Sequence, residues 1–234
     1  MWPDGDVSLE PPLLHPIGLG YSILMRIPIA PEGLPIIKWV WFAFLMSLLT
    51  QSVWVIGVFG GVMVFVLSFF RDPNRRRVYA DTDIVAAADG VITAIKEVTV
   101  NGEAYVQIVT FLSVFNCHVN RIPLAGVVRE SVHIPGQFLA AFRGDIDQKN
   151  ERQETDIDTV IGCIRVVQIT GAIARRICCE LVANQTCKTG ERFGLIRFGS
   201  RTDVYLPKNK VTLQVKKGDR VKGGLTIIAT HSSH

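Results

Sequence analysis

The chain is 234 residues long, enough for one domain of ordinary size plus an appendage. It is apolar for a soluble protein, 48% hydrophobic with a mean hydropathy of +0.29, and the excess gathers near the N-terminus. The net charge of +4 suits a chain lying against anionic lipid; it is too diffuse to argue for a nucleic-acid binder, and no basic stretch carries interleaved aromatics.

Residues 1–35 hold seven of the eleven prolines. Proline fixes φ and removes an amide donor, so this part reads as an extended leader. It lacks the basic start and adjoining apolar core of a signal peptide. From Trp39 to Phe70 there is no charged residue. One membrane span needs about 20 apolar residues. This run is longer, about 48 Å as a straight helix. It has a polar interruption at Thr50-Gln51-Ser52 and a loose Gly60-Gly61. Two readings of residues 36–70 are open: one tilted membrane helix, or a helical hairpin that dips into one leaflet. The hairpin is favoured, because each half is too short to cross alone. Arg71, Arg75, Arg76 and Arg77 follow, and basic residues flanking a membrane segment sit on the cytoplasmic side.

From Val78 the texture changes. Short β-branched runs, at 90–95, 104–109 and 159–167, alternate with turns, which predicts a mainly antiparallel β domain with α+β character. A short helix is expected over 137–143, after Pro135-Gly136. The C-terminal "VTLQVKKGDRVKGGLTIIAT" resembles the hammerhead of a lipoyl-type barrel sandwich, without the lysine context of a lipoyl carrier. The five cysteines are odd in number and include no Cys-x-x-Cys pair, which fits reduced thiols and gives no metal site.

The chemistry points to Gly194–Pro207. Gly199 tolerates φ > 0 and leaves its carbonyl open to approach. The hydroxyl of Ser200 could attack that carbonyl if a base took its proton. Alone, a Gly-Ser pair reads as a β-turn. Of the five histidines, His15 lies in the leader and His231 and His234 in the tail, leaving His118 and His133 as bases. Asp89, at the start of a strand before Gly90, is the chosen carboxylate to orient an imidazole, with Asp81, Asp83 and Asp203 as less well supported alternatives; its plain reading is a turn.

"RFGSRTDVYLP", "FLSVFNCHVNRIP" (Phe111 to Pro123), "FFRDPNR" (Phe69 to Arg75), "AADGVI" and "IPGQFLAAF" together resemble the phosphatidylserine decarboxylases, in particular their short bacterial form. The likeness runs from about Ile36 to the C-terminus. Many members carry His-x-x-His-x-Pro, whereas this chain has Arg121 in place of the second histidine. The base's role therefore falls to His118, with His133 as second choice.

The resemblance implies self-cleavage at Gly199–Ser200 into a β chain, 1–199, and an α chain, 200–234, which stay together as a heterodimer. Ser200 would become a covalent pyruvoyl group that forms a Schiff base with the amine of phosphatidylserine, with no metal and no pyridoxal phosphate. Loss of CO₂ would give phosphatidylethanolamine within phospholipid biosynthesis. His118 would act as base and acid and Asp89 as its partner. Arg121 or Arg152 could pair with a phosphate or carboxylate, and a solvated charged loop explains Arg152 equally well. With the flanking arginines and the net charge, the resemblance gives the bacterial inner membrane as the expected location, a catalytic domain of residues 71–234 facing the cytoplasm, and an anionic lipid surface as partner. It leaves open a homo-oligomer. Two other classes fit parts of the chain. A membrane-anchored lipoyl-like adaptor leaves the histidine and Gly-Ser motifs without purpose. A tethered serine hydrolase lacks a Gly-x-Ser-x-Gly elbow.

Overall fold

A computed structural model describes residues 28–75, 77–139, 149–171, 176–197 and 199–232. The leader up to residue 27 lies outside the described residues. Of the helix expected over 137–143, Gln137 forms a β-bridge with Asn150, Phe138 and Leu139 are not helical, and the rest lies outside the described residues.

A 3-10 turn, Pro31–Gly33, leads into α1 (Leu34–Leu48) and α2 (Val53–Phe69). The two helices pack on each other as a hairpin. The polar interruption is the turn: Gln51 takes φ 54°, which ends helical continuation. Gly60, read as a loose point, instead lies inside α2, facing the Phe44 ring across the hairpin. At 15 and 17 residues the helices are about 22 and 26 Å long, short of a hydrocarbon core of about 30 Å. Among the described residues no helix is long and apolar enough to cross a membrane, which removes the single tilted span. The hairpin is apolar all round and its tip is bare: Leu49 and Val53 are 75% exposed and Trp54 84%.

The rest is antiparallel β structure. Its strands are β1 (Asp83–Val85), β2 (Gly90–Val100), β3 (Glu103–Leu112), β4 (Val119–Arg121), β5 (Gly126–Ile134), β6 (Arg152–Thr159), β7 (Gly162–Ile169), β8 (Ile177–Cys179), β9 (Thr186–Cys187), β10 (Arg192–Ile196), β11 (Ser200–Pro207), β12 (Val211–Leu213), β13 (Arg220–Val221) and β14 (Ile227–His231). β-branched residues dominate the longer strands because they pack well on a pleated surface. Asn101-Gly102, at φ 51° and 85°, closes the β2–β3 hairpin with the left-handed pair that a two-residue turn requires.

Eight strands form one sheet in the order β13-β2-β3-β11-β7-β6-β5-β9. Two three-stranded sheets, β1-β14-β12 and β4-β10-β8, complete the fold. β11 lies inside the large sheet, paired with β3 from Ser200↔Leu112 to Pro207↔Tyr105 and with β7 from Arg201↔Ile169 to Tyr205↔Arg165. Alternation divides its side chains. Val204 and Leu206 join the main core with Ile108, Ile164 and Ile157. Ser200 and Thr202 continue that same face towards the small β4-β10-β8 sheet. Arg201 and Asp203 take the opposite face.

A second core joins the hairpin to this end of the molecule. Val66, Phe69 and Phe70 pack with Cys117, Val119 and Leu195. Arg192 adds an ion pair with Glu32 just before α1. The basic run after α2 is mostly structural. Arg71 donates to the Phe115 carbonyl at 2.7 Å, Arg75 pairs with Asp89, and Arg77 donates to the Leu225 carbonyl. Arg76 lies outside the described residues.

Candidate active site

His118 sits where the β3–β4 connection enters β4, and its carbonyl accepts from Ile196 N–H at 3.3 Å, extending the β4–β10 pairing. Its imidazole is fully buried, with the Phe69 ring 4.3 Å away between centroids. Nδ1–H donates to the Asn116 carbonyl at 2.9 Å. Nε2 therefore carries the lone pair, and it accepts from the Gly199 N–H at 3.2 Å. Burial pushes the His118 pKa from 6.5 down to about 4; the Asn116 carbonyl opposes this, Arg71 adds to it, and Asp89 pulls weakly upward. The imidazole is neutral at pH 7, with its acceptor nitrogen against the Gly-Ser segment.

Gly199 holds φ 63°, a left-handed conformation that glycine adopts at little cost. Phe198 lies outside the described residues. Ser200, the first residue of β11, is fully buried, and its Oγ has no hydrogen-bond partner. A buried hydroxyl without a partner costs about 1–3 kcal/mol, so its retention asks for a reason.

Among the other buried atoms in that condition, three belong to uncharged side chains: Thr202 Oγ1, Asn120 Nδ2 and Gln168 Oε1. Asn120 follows His118 by two in extended chain, and Thr202 follows Ser200 by two, so each pair projects on one side. Gln168 is the cross-strand partner of Thr202, and its Nε2 donates to Asn120 Oδ1 at 2.6 Å, tying the two sheets together.

The other expected residues fall elsewhere. Asp89 does not touch His118. Its carboxylate is gripped by both terminal nitrogens of Arg75 and by the Gly223 N–H at 2.8 Å, so the acceptor that orients His118 is a peptide carbonyl instead. The cause is local: Arg75 reaches Asp89 first, and an uncharged carbonyl suits an imidazole kept neutral. Arg121 is buried and bound to Asp72 at 3.0 Å and to the Gly190 carbonyl at 3.2 Å. Arg152 bonds Glu154 at 2.7 Å on the face that Arg201 shares. His133 is half exposed beside Glu151 at 3.7 Å, on β5. Three strand spacings separate β5 from β11, roughly 14 Å. Only Gly199, Ser200 and His118 of the expected set meet.

Sequence reasoning missed Phe69, Asn116, Asn120, Gln168 and Thr202. Three of these had a signal: Gln168 inside the apolar run Val166–Ile169, and Asn120 and Thr202 as polar residues two after His118 and Ser200.

A buried Gly-Ser bond at the head of an interior strand, faced by a neutral histidine, defines a candidate self-processing site. The phosphatidylserine decarboxylase family model matches residues 62–229. The chain is 40% identical over 208 residues to a phosphatidylserine decarboxylase proenzyme of Desulfotalea psychrophila, covering 87% of this chain and 96% of that one. It is likewise 40% identical over 211 residues to the proenzyme of Ruegeria pomeroyi (86% and 94% covered), and 44% over 179 residues to that of Ehrlichia chaffeensis (72% and 79%). The chain belongs to the phosphatidylserine decarboxylase family.

Proposed function

We propose that this enzyme cuts itself at Gly199–Ser200 and then converts phosphatidylserine to phosphatidylethanolamine. The observation that carries the reading is the unpartnered Ser200 Oγ, next to a left-handed Gly199 whose N–H rests on His118 Nε2. In the first step His118 takes the Ser200 hydroxyl proton while Oγ bonds to the Gly199 carbonyl carbon. The Gly199–Ser200 C–N bond then breaks, and His118 returns the proton to the freed amine. Loss of the Ser200 Cα proton expels the Gly199 carboxylate and leaves dehydroalanine, which water converts to a pyruvoyl group with release of ammonia. The buried site fits that group: residue 200 has a β-strand to anchor it and a neutral imidazole beside it.

Once formed, the pyruvoyl group supplies an electron sink for the carbon that loses CO₂. The chain supplies the rest. His118, neutral and shielded by Phe69, moves protons at residue 200. Asp89 acts at a distance by clamping Arg75 and Gly223, which joins the residues after α2 to the C-terminal fragment. β11 lies between β3 and β7, so the fragments 1–199 and 200–234 remain one body after the cut. The C-terminal strands β12–β14, with turns at Gly218 and Gly224, support the barrel-sandwich reading of that part.

The exposed apolar hairpin supports insertion into one leaflet, with the catalytic domain against the anionic cytoplasmic face of a bacterial inner membrane. That brings lipid head groups to the foot of α2, where Phe69 meets His118. The test is Ser200→Ala: an uncleaved, inactive protein is expected, and an uncleaved protein that still releases CO₂ from phosphatidylserine overturns the reading.

A further inference from the structure

The self-cleavage chemistry uses Ser200 and His118 and leaves three buried polar groups unexplained. Asn120 and Thr202 are fully buried and Gln168 is 1% exposed. Each keeps one atom without a partner: Asn120 Nδ2, Thr202 Oγ1 and Gln168 Oε1. Turning both amides over would only exchange the donor and the acceptor, so one of each stays unpartnered in either orientation. All three lie on the Ser200 side of β11 or reach it from β4 and β7. Leaving such atoms buried without a partner is costly, and a ligand that bonded them would return that cost on binding.

The cluster has a chemical character. It offers an amide N–H₂ and a hydroxyl as donors, one carbonyl acceptor, and no charge. Neighbouring cations are engaged elsewhere: Arg201 is bidentate to Asp203 across the sheet, Arg75 to Asp89, and Arg121 bonds Asp72. Among the described residues, the cluster itself offers an anion neutral donors only. For a carboxylate about to leave as CO₂ that is an advantage, because a guanidinium would stabilise the charged ground state more than the transition state, in which that charge has left the carboxylate.

We propose that Asn120, Gln168 and Thr202 form the pocket for the carboxylate of a seryl head group. Asn120 Nδ2 and Thr202 Oγ1 donate to the carboxylate oxygens, and Gln168 holds Asn120 in place. The pocket is closed in the uncleaved chain and becomes available when the Gly199–Ser200 bond is cut. This assignment rests on the decarboxylase reading and deepens it: it explains selection of a serine over an ethanolamine head group.

The experiment uses detergent-solubilised full-length protein, cyanoborohydride, and either lysophosphatidylserine or lysophosphatidylethanolamine. The denatured mass reports both cleavage and the amount of lipid trapped on the small fragment as lipid concentration is varied. Asn120→Ala and Thr202→Val are expected to cleave normally. They should need at least tenfold more lysophosphatidylserine for half-maximal trapping, with the lysophosphatidylethanolamine curve unmoved. Asn120→Asp, nearly the same shape but negative, should be worse than Asn120→Ala for the serine lipid alone, which a packing role would not produce. Equal shifts for both lipids, or none for either, overturn the pocket. So does failure of all three variants to cleave, which would give the cluster to self-processing. Wild-type protein that neither cleaves nor traps either lipid overturns the decarboxylase reading instead.

Discussion

The backbone N–H of Gly199 donates to Nε2 of His118 at 3.2 Å, across 81 positions of sequence. This bond fixes the tautomer, because Nδ1–H is committed to the Asn116 carbonyl. It also places the acceptor nitrogen one residue from the hydroxyl that loses its proton in the proposed self-cleavage.

A pH prediction follows from the buried imidazole. With its pKa near 4 rather than 6.5, His118 is unprotonated throughout the neutral range. The rate of self-cleavage in freshly refolded protein is expected to stay flat, as far as His118 controls it, from about pH 5 to 8 and to fall with a midpoint near 4. A midpoint near 6.5 would contradict this site. The stability consequence has a definite sign. The folded pKa lies below the unfolded one, so the fold resists protonation of His118. Stability is unaffected above about 6.5, is lost as pH falls from there towards 4, and levels off below. The loss amounts to about 3 kcal/mol, readable from urea midpoints of the uncleavable Ser200→Ala protein with and without His118→Gln.

The face behind the scissile bond holds a charge pair. Arg201 bonds Asp203 through Nε at 2.7 Å and Nη2 at 2.6 Å, and Gln107 adds a third contact to Asp203 at 2.7 Å. Both charges are buried, so deleting one takes a bidentate partner from the other. Asp203→Ala is expected to cost about 3–5 kcal/mol. Chemical denaturation of the uncleavable Ser200→Ala background checks it, and a loss below about 1 kcal/mol would mean that Arg201 finds another partner.

The bare hairpin tip predicts its own phenotype. Replacing Trp54 and Leu49 by glutamate removes apolar surface and adds charge that a leaflet rejects. The double variant should still cleave itself, because the site lies at the other end of α2. Its co-sedimentation with vesicles containing phosphatidylserine should fall at least tenfold. Unchanged sedimentation would move the membrane contact away from the hairpin.

Much of this was legible in the chain. β-branched runs broken by glycines announced the strands, and an uncharged stretch with one polar interruption announced the hairpin, because periodicity and turn chemistry are local. Ser200, Gly199 and His118 came from motifs whose residue types suit the proposed reaction. What stayed hidden was pairing across the fold. Nothing near Asp89 in sequence says that Arg75 captures it. Nothing near His118 says that a carbonyl two residues back orients it, or that Phe69 covers it. The polar cluster was half visible: Gln168 stands out within an apolar strand, yet only the β11–β7 register brings it beside Thr202 and Asn120.

The most direct test is the denatured mass of the purified wild-type protein beside its native mass. The account predicts two denatured chains meeting between Gly199 and Ser200, the smaller carrying a pyruvoyl group in place of its first serine. Under native conditions they should run as one species, because β11 is held between β3 and β7. A single intact chain from a preparation that actively decarboxylates phosphatidylserine would contradict it.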